Sequence, residues 1–287
     1  MNLFKKHWIS APIVGSFSLL LAACTTSSSL NLPALADTAQ KAEGTIVWRD
    51  LVTTAPDQVK PFYHNVFGWD YQTVNSDYSL ITYQGKPIAG MAKMPSNSTT
   101  NYWLPVMSTA NVDATLVKST QAGGKTLIKK TTLKGRGDIA VIQDPQGAVF
   151  SVLDTVNGDP MPLDKQAGNW VWQEVWTQDV TQSQQFYQSL NSYNKAEKAL
   201  GDHSYQYLTM GGKPAFGVVK KPNDDITTTW VNYIKVDDVN ATVAKVEQNG
   251  GVVLMAPNKQ VRNGTVAIVR DPAGAGFVIQ EIAQEMK

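Results

Sequence analysis

The sequence predicts an α+β protein made of two tandem copies of one half, and three observations support this. First, a stretch of chain is written twice. Ile139-Ala140-Val141-Ile142-Gln143-Asp144-Pro145-Gln146-Gly147-Ala148-Val149-Phe150 returns as Val266-Ala267-Ile268-Val269-Arg270-Asp271-Pro272-Ala273-Gly274-Ala275-Gly276-Phe277. Second, other landmarks return at nearly the same spacing. Trp48-Arg49-Asp50 answers to Trp172-Gln173-Glu174, Phe62-Tyr63 to Phe186-Tyr187, and Gly85-Lys86-Pro87 to Gly212-Lys213-Pro214. Val112-Asp113-Ala114-Thr115 matches Val239-Asn240-Ala241-Thr242, and Gly123-Gly124 matches Gly250-Gly251. Third, each half carries a strand–helix–strand–strand pattern twice over. A chain of 287 residues is comfortable for two such cores.

Local chemistry justifies each element of the first half. Residues 45–53 alternate as a strand does. Residues 56–67 follow, with Val59, Phe62, Tyr63 and Val66 on one face of a helix. Pro56 suits the first helical turn, and Gly68 suits its end. Residues 78–83 and 88–94 are strands around Gln84-Gly85-Lys86-Pro87, with an extra strand over 69–74. The pattern then restarts. Residues 103–110 form a strand, Asn111 is a helix N-cap, 112–121 are helical, and Gly123-Gly124 closes the helix. Residues 125–131 and a hairpin over 138–153 complete the half. In that hairpin Asp-Pro-x-Gly supplies the turn, because proline presets φ while Asp and Gly suit the flanking positions. Residues 154–168, rich in Gly, Pro and Asp, mark the boundary.

Ahead of the repeats lies a different kind of sequence. Lys5 and Lys6 precede a short apolar run, residues 9–21, which is too short for a confident membrane span. It ends in Leu21-Ala22-Ala23-Cys24, which resembles the lipobox of bacterial lipoproteins. That resemblance implies removal of residues 1–23 and lipidation of Cys24. Thr25, standing where an Asp would imply inner-membrane retention, implies the periplasmic face of the outer membrane. Cys24 is the only cysteine, so no internal disulfide is possible. Residues 24–43 read as a flexible tether, 44–154 as the first domain, 155–168 as a linker and 169–283 as the second domain. A formal charge of +1 with no basic stripe argues against nucleic acid as a partner.

With these landmarks, the paired modules resemble the vicinal oxygen chelate superfamily, which includes glyoxalase I, bleomycin-resistance proteins and extradiol dioxygenases. The resemblance implies that each domain curls its sheet into a cup. In metal-dependent members the cup holds a cation on side chains from the first and last strands. Carried across, those positions fall at Trp48, Leu104 and Ser151 in the first domain, and at Trp172, Val231 and Val278 in the second. They make no usable ligand set, so no metal and no other cofactor is expected.

Alternation instead puts Trp48 and Asp50 on one face of the first strand, and Trp172 and Glu174 on the matching face in the second domain. If that face lines the cup, an aromatic wall with a carboxylate beside it suits a small, planar ligand. Asp50 and Glu174 are then the candidates for proton transfer. The competing reading is that the tryptophans are core and the carboxylates pair internally. Tyr233, Lys235 and Gln280 add polarity to the second cup, which makes it the expected binding site. His203, Tyr205 and Tyr207 sit where a lid could lie, and Arg136 and Arg262 either clamp a carboxylate or face solvent. A Gly-x-Ser-x-Gly elbow and a complete phosphate loop are both missing from the sequence.

The expected protein is thus a membrane-anchored, metal-free binding protein for a small, possibly aromatic compound. It is either a monomer with paired domains or a homodimer. The alternatives are a lyase, isomerase or dioxygenase-like enzyme using Glu174 or Asp50 or an atypical metal site, and a structural envelope protein.

Overall fold

Every strand in this chain must cover two faces, and the fold follows from how each face is covered. The computed structural model describes residues 31–98, 101–200 and 203–282. Cys24 and the residues expected to form a signal peptide lie outside them. The first domain runs β1 (Ile46–Thr53), α1 (Pro56–Phe67), β2 (Asp70–Thr73), β3 (Tyr78–Tyr83), β4 (Lys86–Lys93), then β5 (Tyr102–Ser108), α2 (Val112–Gln121), β6 (Lys125–Leu133), β7 (Gly137–Gln143) and β8 (Val149–Thr155). The second repeats it: β9 (Trp170–Thr177), α3 (Val180–Leu190), β10 (Asn194–Leu200), β11 (His203–Met210), β12 (Lys213–Lys220), β13 (Thr229–Val236), α4 (Val239–Gln248), β14 (Val252–Met255), β15 (Val266–Arg270) and β16 (Gly276–Glu281). Each domain is one eight-stranded mixed sheet, ordered β2-β3-β4-β1-β5-β8-β7-β6 and β10-β11-β12-β9-β13-β16-β15-β14. The two halves of each sheet join through the antiparallel pairs β1–β5 and β9–β13.

The local signals act as expected. Pro56 opens α1, and Gly68 closes it with φ of 74°. The Asn111 side chain accepts the Ala114 N–H and caps α2. His203, Tyr205 and Tyr207, expected on an inserted loop and the strand after it, all lie on the strand β11, in a hairpin with β10. Residues 31–43 also differ from a tether. Leu32 is buried against Trp48, Tyr78 and Leu133, and its N–H donates to the Lys134 carbonyl at 3.0 Å. Isolated leucines in a polar stretch carry no periodicity, so sequence reasoning missed this contact.

The sheets stand back to back, with the helices between them. One core joins α1, with Val59, Phe62 and Tyr63, to Val246, Val253, Phe277 and Ile279 of the other domain. A second joins Phe150 and Val152 to Phe186, Tyr187 and Phe216. The repeated landmarks meet here, each reaching the opposite domain. The Tyr63 hydroxyl donates to Asp271 at 3.0 Å, and Tyr187 donates to Asp144 at 3.2 Å. Each Asp also accepts the backbone N–H groups of its own turn, including Ala148 at 2.9 Å and Ala275 at 2.9 Å. A Cβ on Gly251 would stand 2.7 Å from the Phe62 ring, and one on Gly124 would stand 2.9 Å from the Phe186 ring. Between these contacts lies Arg49, over the Trp170 ring at 5.1 Å. It donates to Asn232 at 2.8 Å and Gln173 at 2.6 Å, and burial lowers its pKa to about 9.

Burial lifts the Asp271 carboxyl to about 6, against hydrogen bonds from Ala275, Tyr63, Gly274 and Ala273 that favour its charged form. A folded value above the unfolded one means that this contribution to stability is complete below pH of about 4. It is lost as pH rises through about 6. The loss is at most about 3 kcal/mol. Asp271→Asn is therefore expected to flatten the fall in melting temperature across this window. Parallel pH profiles for parent and variant would remove Asp271 from the explanation.

Candidate functional site

On β1, Arg49 and Leu51 point to the interface, so Trp48, Asp50 and Val52 point the other way, into the concave face of the sheet. In register, Asp50 stands beside Gly90 of β4 and Leu104 of β5. Its Oδ1 accepts the Tyr78 hydroxyl at 2.7 Å and the Trp48 indole N–H at 3.1 Å. The Arg136 guanidinium lies 5.0 Å from the centre of the Tyr78 ring and donates to the Tyr78 oxygen at 2.7 Å. It also lies 5.7 Å from the centre of the Trp48 ring, its Nε donates to the Pro33 carbonyl at 3.1 Å, and among the described residues its Nη2 is buried without a hydrogen-bond partner. Among the described residues, Asp50 Oδ2 accepts no hydrogen bond. Burial raises the Asp50 pKa, while the Arg136 charge and the bonds from Tyr78 and Trp48 pull it down.

The second domain repeats the constellation with more donors. Glu174 stands beside Gly217 and Val231. Its Oε1 accepts Tyr205 at 2.8 Å and Arg262 at 2.5 Å; its Oε2 accepts Tyr233 at 2.5 Å and the Trp176 indole N–H at 2.9 Å. The Trp172 indole donates to the Tyr205 oxygen at 2.5 Å. Arg262 lies over the Tyr205 and Tyr233 rings at 5.3 and 5.2 Å. Arg136 and Arg262 are one residue out of step along the chain. The turn Arg262–Gly264, with φ of 45° at Arg262 and 55° at Asn263, absorbs that residue and places the guanidinium over the same tyrosine.

The two cups then part. The first holds a cavity of about 1010 Å³, lined by Asp50, Val52, Leu104, Ile128, Val141 and Ser151 among others, with Asn31, Leu32 and Pro33 along one side. In the second, Trp176, Val231, Tyr233, Met255, Ile268 and Val278 pack into one apolar cluster and Glu174 is 1% exposed.

These placements correct several sequence expectations. The open cup is the first, because Trp176 and Tyr233 fill the second. The walls of the cavity are mainly aliphatic: Trp48 is 2% exposed and serves as a donor to Asp50. Tyr233 does join Glu174, but as an internal partner. Lys235 is four residues along β13 from Val231, about 13 Å away. It donates to the Lys165 carbonyl of the linker at 2.9 Å. Gln280 lies beside Lys235 in register, at that same far end. Both arginines face inward and not towards solvent. Sequence reasoning missed Tyr78, Gly90 and Gly217, although Tyr78 and Tyr205, like Gly90 and Gly217, share the spacing of Asp144 and Asp271.

Residues 171–279 match the Glyoxalase/Bleomycin resistance protein/Dioxygenase superfamily. The matched stretch spans nearly the whole of the second domain. The first repeats its topology and landmarks, so the chain has the fold of that stretch twice in tandem. Relatives span nearly the same length. A Mycobacterium tuberculosis protein named for a glyoxylase, CFP32, is 28% identical over 253 residues, covering 85% of this chain and 97% of its own. The anthracycline biosynthesis protein DnrV of Streptomyces peucetius is 26% identical over 263 residues, covering 85% and 95%. Among solved structures, the Mn(II)-bound glyoxalase from Novosphingobium aromaticivorans shares the fold with a TM-score of 0.58 at 15% identity, covering 85% of this chain and 84% of that one. The 2,3-dioxygenase LapB from Pseudomonas sp. KL28 does so with 0.56 at 12%, covering 83% and 92%.

A divalent cation of the kind that superfamily glyoxalase carries does not suit either cup here. Such an ion needs several oxygen or imidazole donors converging on one point. Among the described residues no three His, Cys, Asp or Glu side chains do so. His64 sits on α1, where Nδ1 meets the Trp69 carbonyl at 3.0 Å. In each cup the carboxylate already stands beside a guanidinium, which repels a second positive charge.

Gly90 and Gly217 explain how a carboxylate–tyrosine pair fits inside a sheet. A Cβ on Gly90 would stand 1.8 Å from the Tyr78 oxygen and 2.1 Å from Asp50 Oδ1; one on Gly217 would stand 2.3 Å from the Tyr205 oxygen. Gly90→Ala is expected to displace the Tyr78–Asp50 pair and cost about 1–3 kcal/mol of stability in denaturant unfolding. A variant as stable as the parent would show that the pair is not held by this contact.

Proposed function

We propose that the first cup binds a small organic molecule, with Asp50 as the polar group that orients it. One observation carries this reading. Asp50, whose Oδ2 accepts no hydrogen bond among the described residues, lines a cavity of about 1010 Å³ walled by apolar side chains such as Val52, Leu104 and Ile128 and by polar ones such as Gln72, Asn75 and Lys93. Concave apolar cavities with a few fixed polar groups are the usual form of small-molecule sites. The sister carboxylate, fully bonded and buried, has no such vacancy. A relative named for anthracycline biosynthesis, and neighbours named for glyoxalase and dioxygenase chemistry, also support a small-molecule ligand. The reading requires neither a metal nor turnover.

The same geometry favours one catalytic alternative. Burial holds Asp50 above its ordinary pKa, and its free oxygen faces the cavity, which is the arrangement a general base needs. In that case Asp50 takes a proton from a bound carbon or hydroxyl acid, and Arg136 acts through Tyr78 to steady the charge.

Nile red, a neutral apolar dye, tests the binding reading. It is expected to bind the purified protein at one site, with enhanced emission. Val141→Trp, which fills the cavity, should abolish that signal while far-UV circular dichroism stays unchanged. Dye that fails to bind, or binds the variant equally well, would overturn the reading.

We also propose that Cys24 is lipidated and holds the protein on the periplasmic face of the outer membrane. The support is the sequence alone: a basic start, an apolar run and Leu21-Ala22-Ala23-Cys24. Cys24→Ser is expected to move the protein from the membrane to the soluble fraction, and a variant that stays with membranes would refute the anchor.

A further inference from the structure

The second cup is a filled copy of the first, so its filling describes what the first one lacks. Sheet register establishes the equivalence. Asp50 pairs with Leu104 as Glu174 pairs with Val231. Ile128 pairs with Val141, and Val141 with Ser151, as Met255 pairs with Ile268, and Ile268 with Val278. Two residues along the strand from each carboxylate stand Val52 and Trp176. The cavity walls Val52, Leu104, Ile128, Val141 and Ser151 thus correspond to Trp176, Val231, Met255, Ile268 and Val278, which form the packed cluster of the second cup.

The decisive difference is Trp176 against Val52. In the second cup the indole occupies the centre of the cluster and donates its N–H to Glu174 Oε2 at 2.9 Å. In the first cup a valine stands there instead, packed with Met94, Leu104, Ile128 and Val141 along one wall of the cavity, and among the described residues the corresponding oxygen, Asp50 Oδ2, accepts no hydrogen bond. The other donor to Glu174 Oε2, Tyr233, is replaced by Val106, and Leu32 of the N-terminal segment packs on that valine. The cavity thus borders the indole's position, while Leu32 covers the tyrosine's.

From this we infer that the ligand of the first cup is a flat aromatic compound bearing an N–H or O–H donor. It lies where Trp176 lies in the sister cup and gives its hydrogen bond to Asp50 Oδ2. This rests on the small-molecule reading above and adds the ligand's chemical class to it. A flat ring in the cavity would lie against the wall that Val52, Ile128 and Val141 form, as the Trp176 ring lies against Val231, Met255 and Ile268. A hydrogen bond to a charged acceptor inside an apolar pocket discriminates strongly against a ring that cannot donate.

The test is displacement of bound Nile red by indole and by 1-methylindole, which has nearly the same shape but no N–H. Indole is expected to displace the dye at a concentration lower by about tenfold or more. In Asp50→Ala the two compounds should become equivalent. Val52→Trp, which installs the sister cup's side chain, should lose both dye and indole while keeping its circular dichroism; Val52→Phe serves if the larger ring does not fold. Equal displacement of a dye that does bind wild-type protein would overturn the donor match and leave the small-molecule reading standing. A preference for indole that survives Asp50→Ala, or indole binding that survives Val52→Trp, would place the donor's partner elsewhere and overturn the assignment. A wild-type protein that binds no dye would take both readings down together.

Discussion

The architecture depends on a reciprocal clasp between the two halves. Tyr63 of the first domain meets Asp271 of the second, and Tyr187 of the second meets Asp144 of the first. The phenyl rings one residue before each tyrosine reach over Gly251 and Gly124 of the opposite domain. A single half would leave the backs of its helices, with Val59, Phe62 and Val66 or Phe186 and Leu190, facing water. Fully burying one such side chain is worth roughly 1.5–3 kcal/mol, so an uncovered helix layer would be costly. Pairing with a second copy covers both layers at once. It also gives each turn aspartate a hydroxyl in addition to its own backbone donors, as a buried polar group requires.

Back-to-back pairing sends the two concave faces in opposite directions and leaves them free to diverge. Both retain an arginine, a tyrosine and a carboxylate next to a glycine, so that unit is the inherited part. It is self-sufficient in the second cup, where four donors saturate Glu174 and an indole and a phenol fill the volume. The same unit in the first cup is under-supplied: valines stand for both rings, and among the described residues Asp50 Oδ2 accepts no hydrogen bond and Arg136 Nη2 is buried without a partner. Leaving buried polar atoms unsatisfied costs stability. On the proposed reading, a ligand in the first cup supplies the partner that the Asp50 carboxylate lacks there.

Much of this was legible from the residues. The duplication, the helices at 56–67 and 112–121, the hairpin at Asp144-Pro145 and the shared face of Trp48 and Asp50 all follow from period and turn chemistry over short spans. What was not legible depends on partners distant in the chain. Tyr78 reaches Asp50 only because β3 is brought round through β4, and Gly90 matters only because β4 pairs with β1. Whether a cup is open or shut turns on Val52 against Trp176, and both residues are ordinary in a strand. Counting polar residues made the second cup look more functional, yet those groups bond one another or, like Lys235, the linker. Phe-Tyr, Gly-Gly and Asp-Pro-x-Gly were read as local signals. They serve as such, but their recurrence also reflects the contacts they make across the domain boundary.

The N-terminal segment gives the open cup its remaining wall. Leu32 covers Trp48, Tyr78 and Val106, and the Pro33 carbonyl accepts from Arg136. Arg136 is thereby held between Tyr78 and the segment, which fixes the phenol that in turn orients Asp50. The segment thus closes the part of the cup that Tyr233 closes in the sister domain and leaves the part that Trp176 closes there. A cavity shaped in this way has Val52 where the sister cup has Trp176, and Asp50 joins other polar groups of its lining such as Gln72, Asn75 and Lys93. The rest of the cup, from the glycine that admits the carboxylate to the arginine behind the tyrosine, serves to hold Asp50 in place.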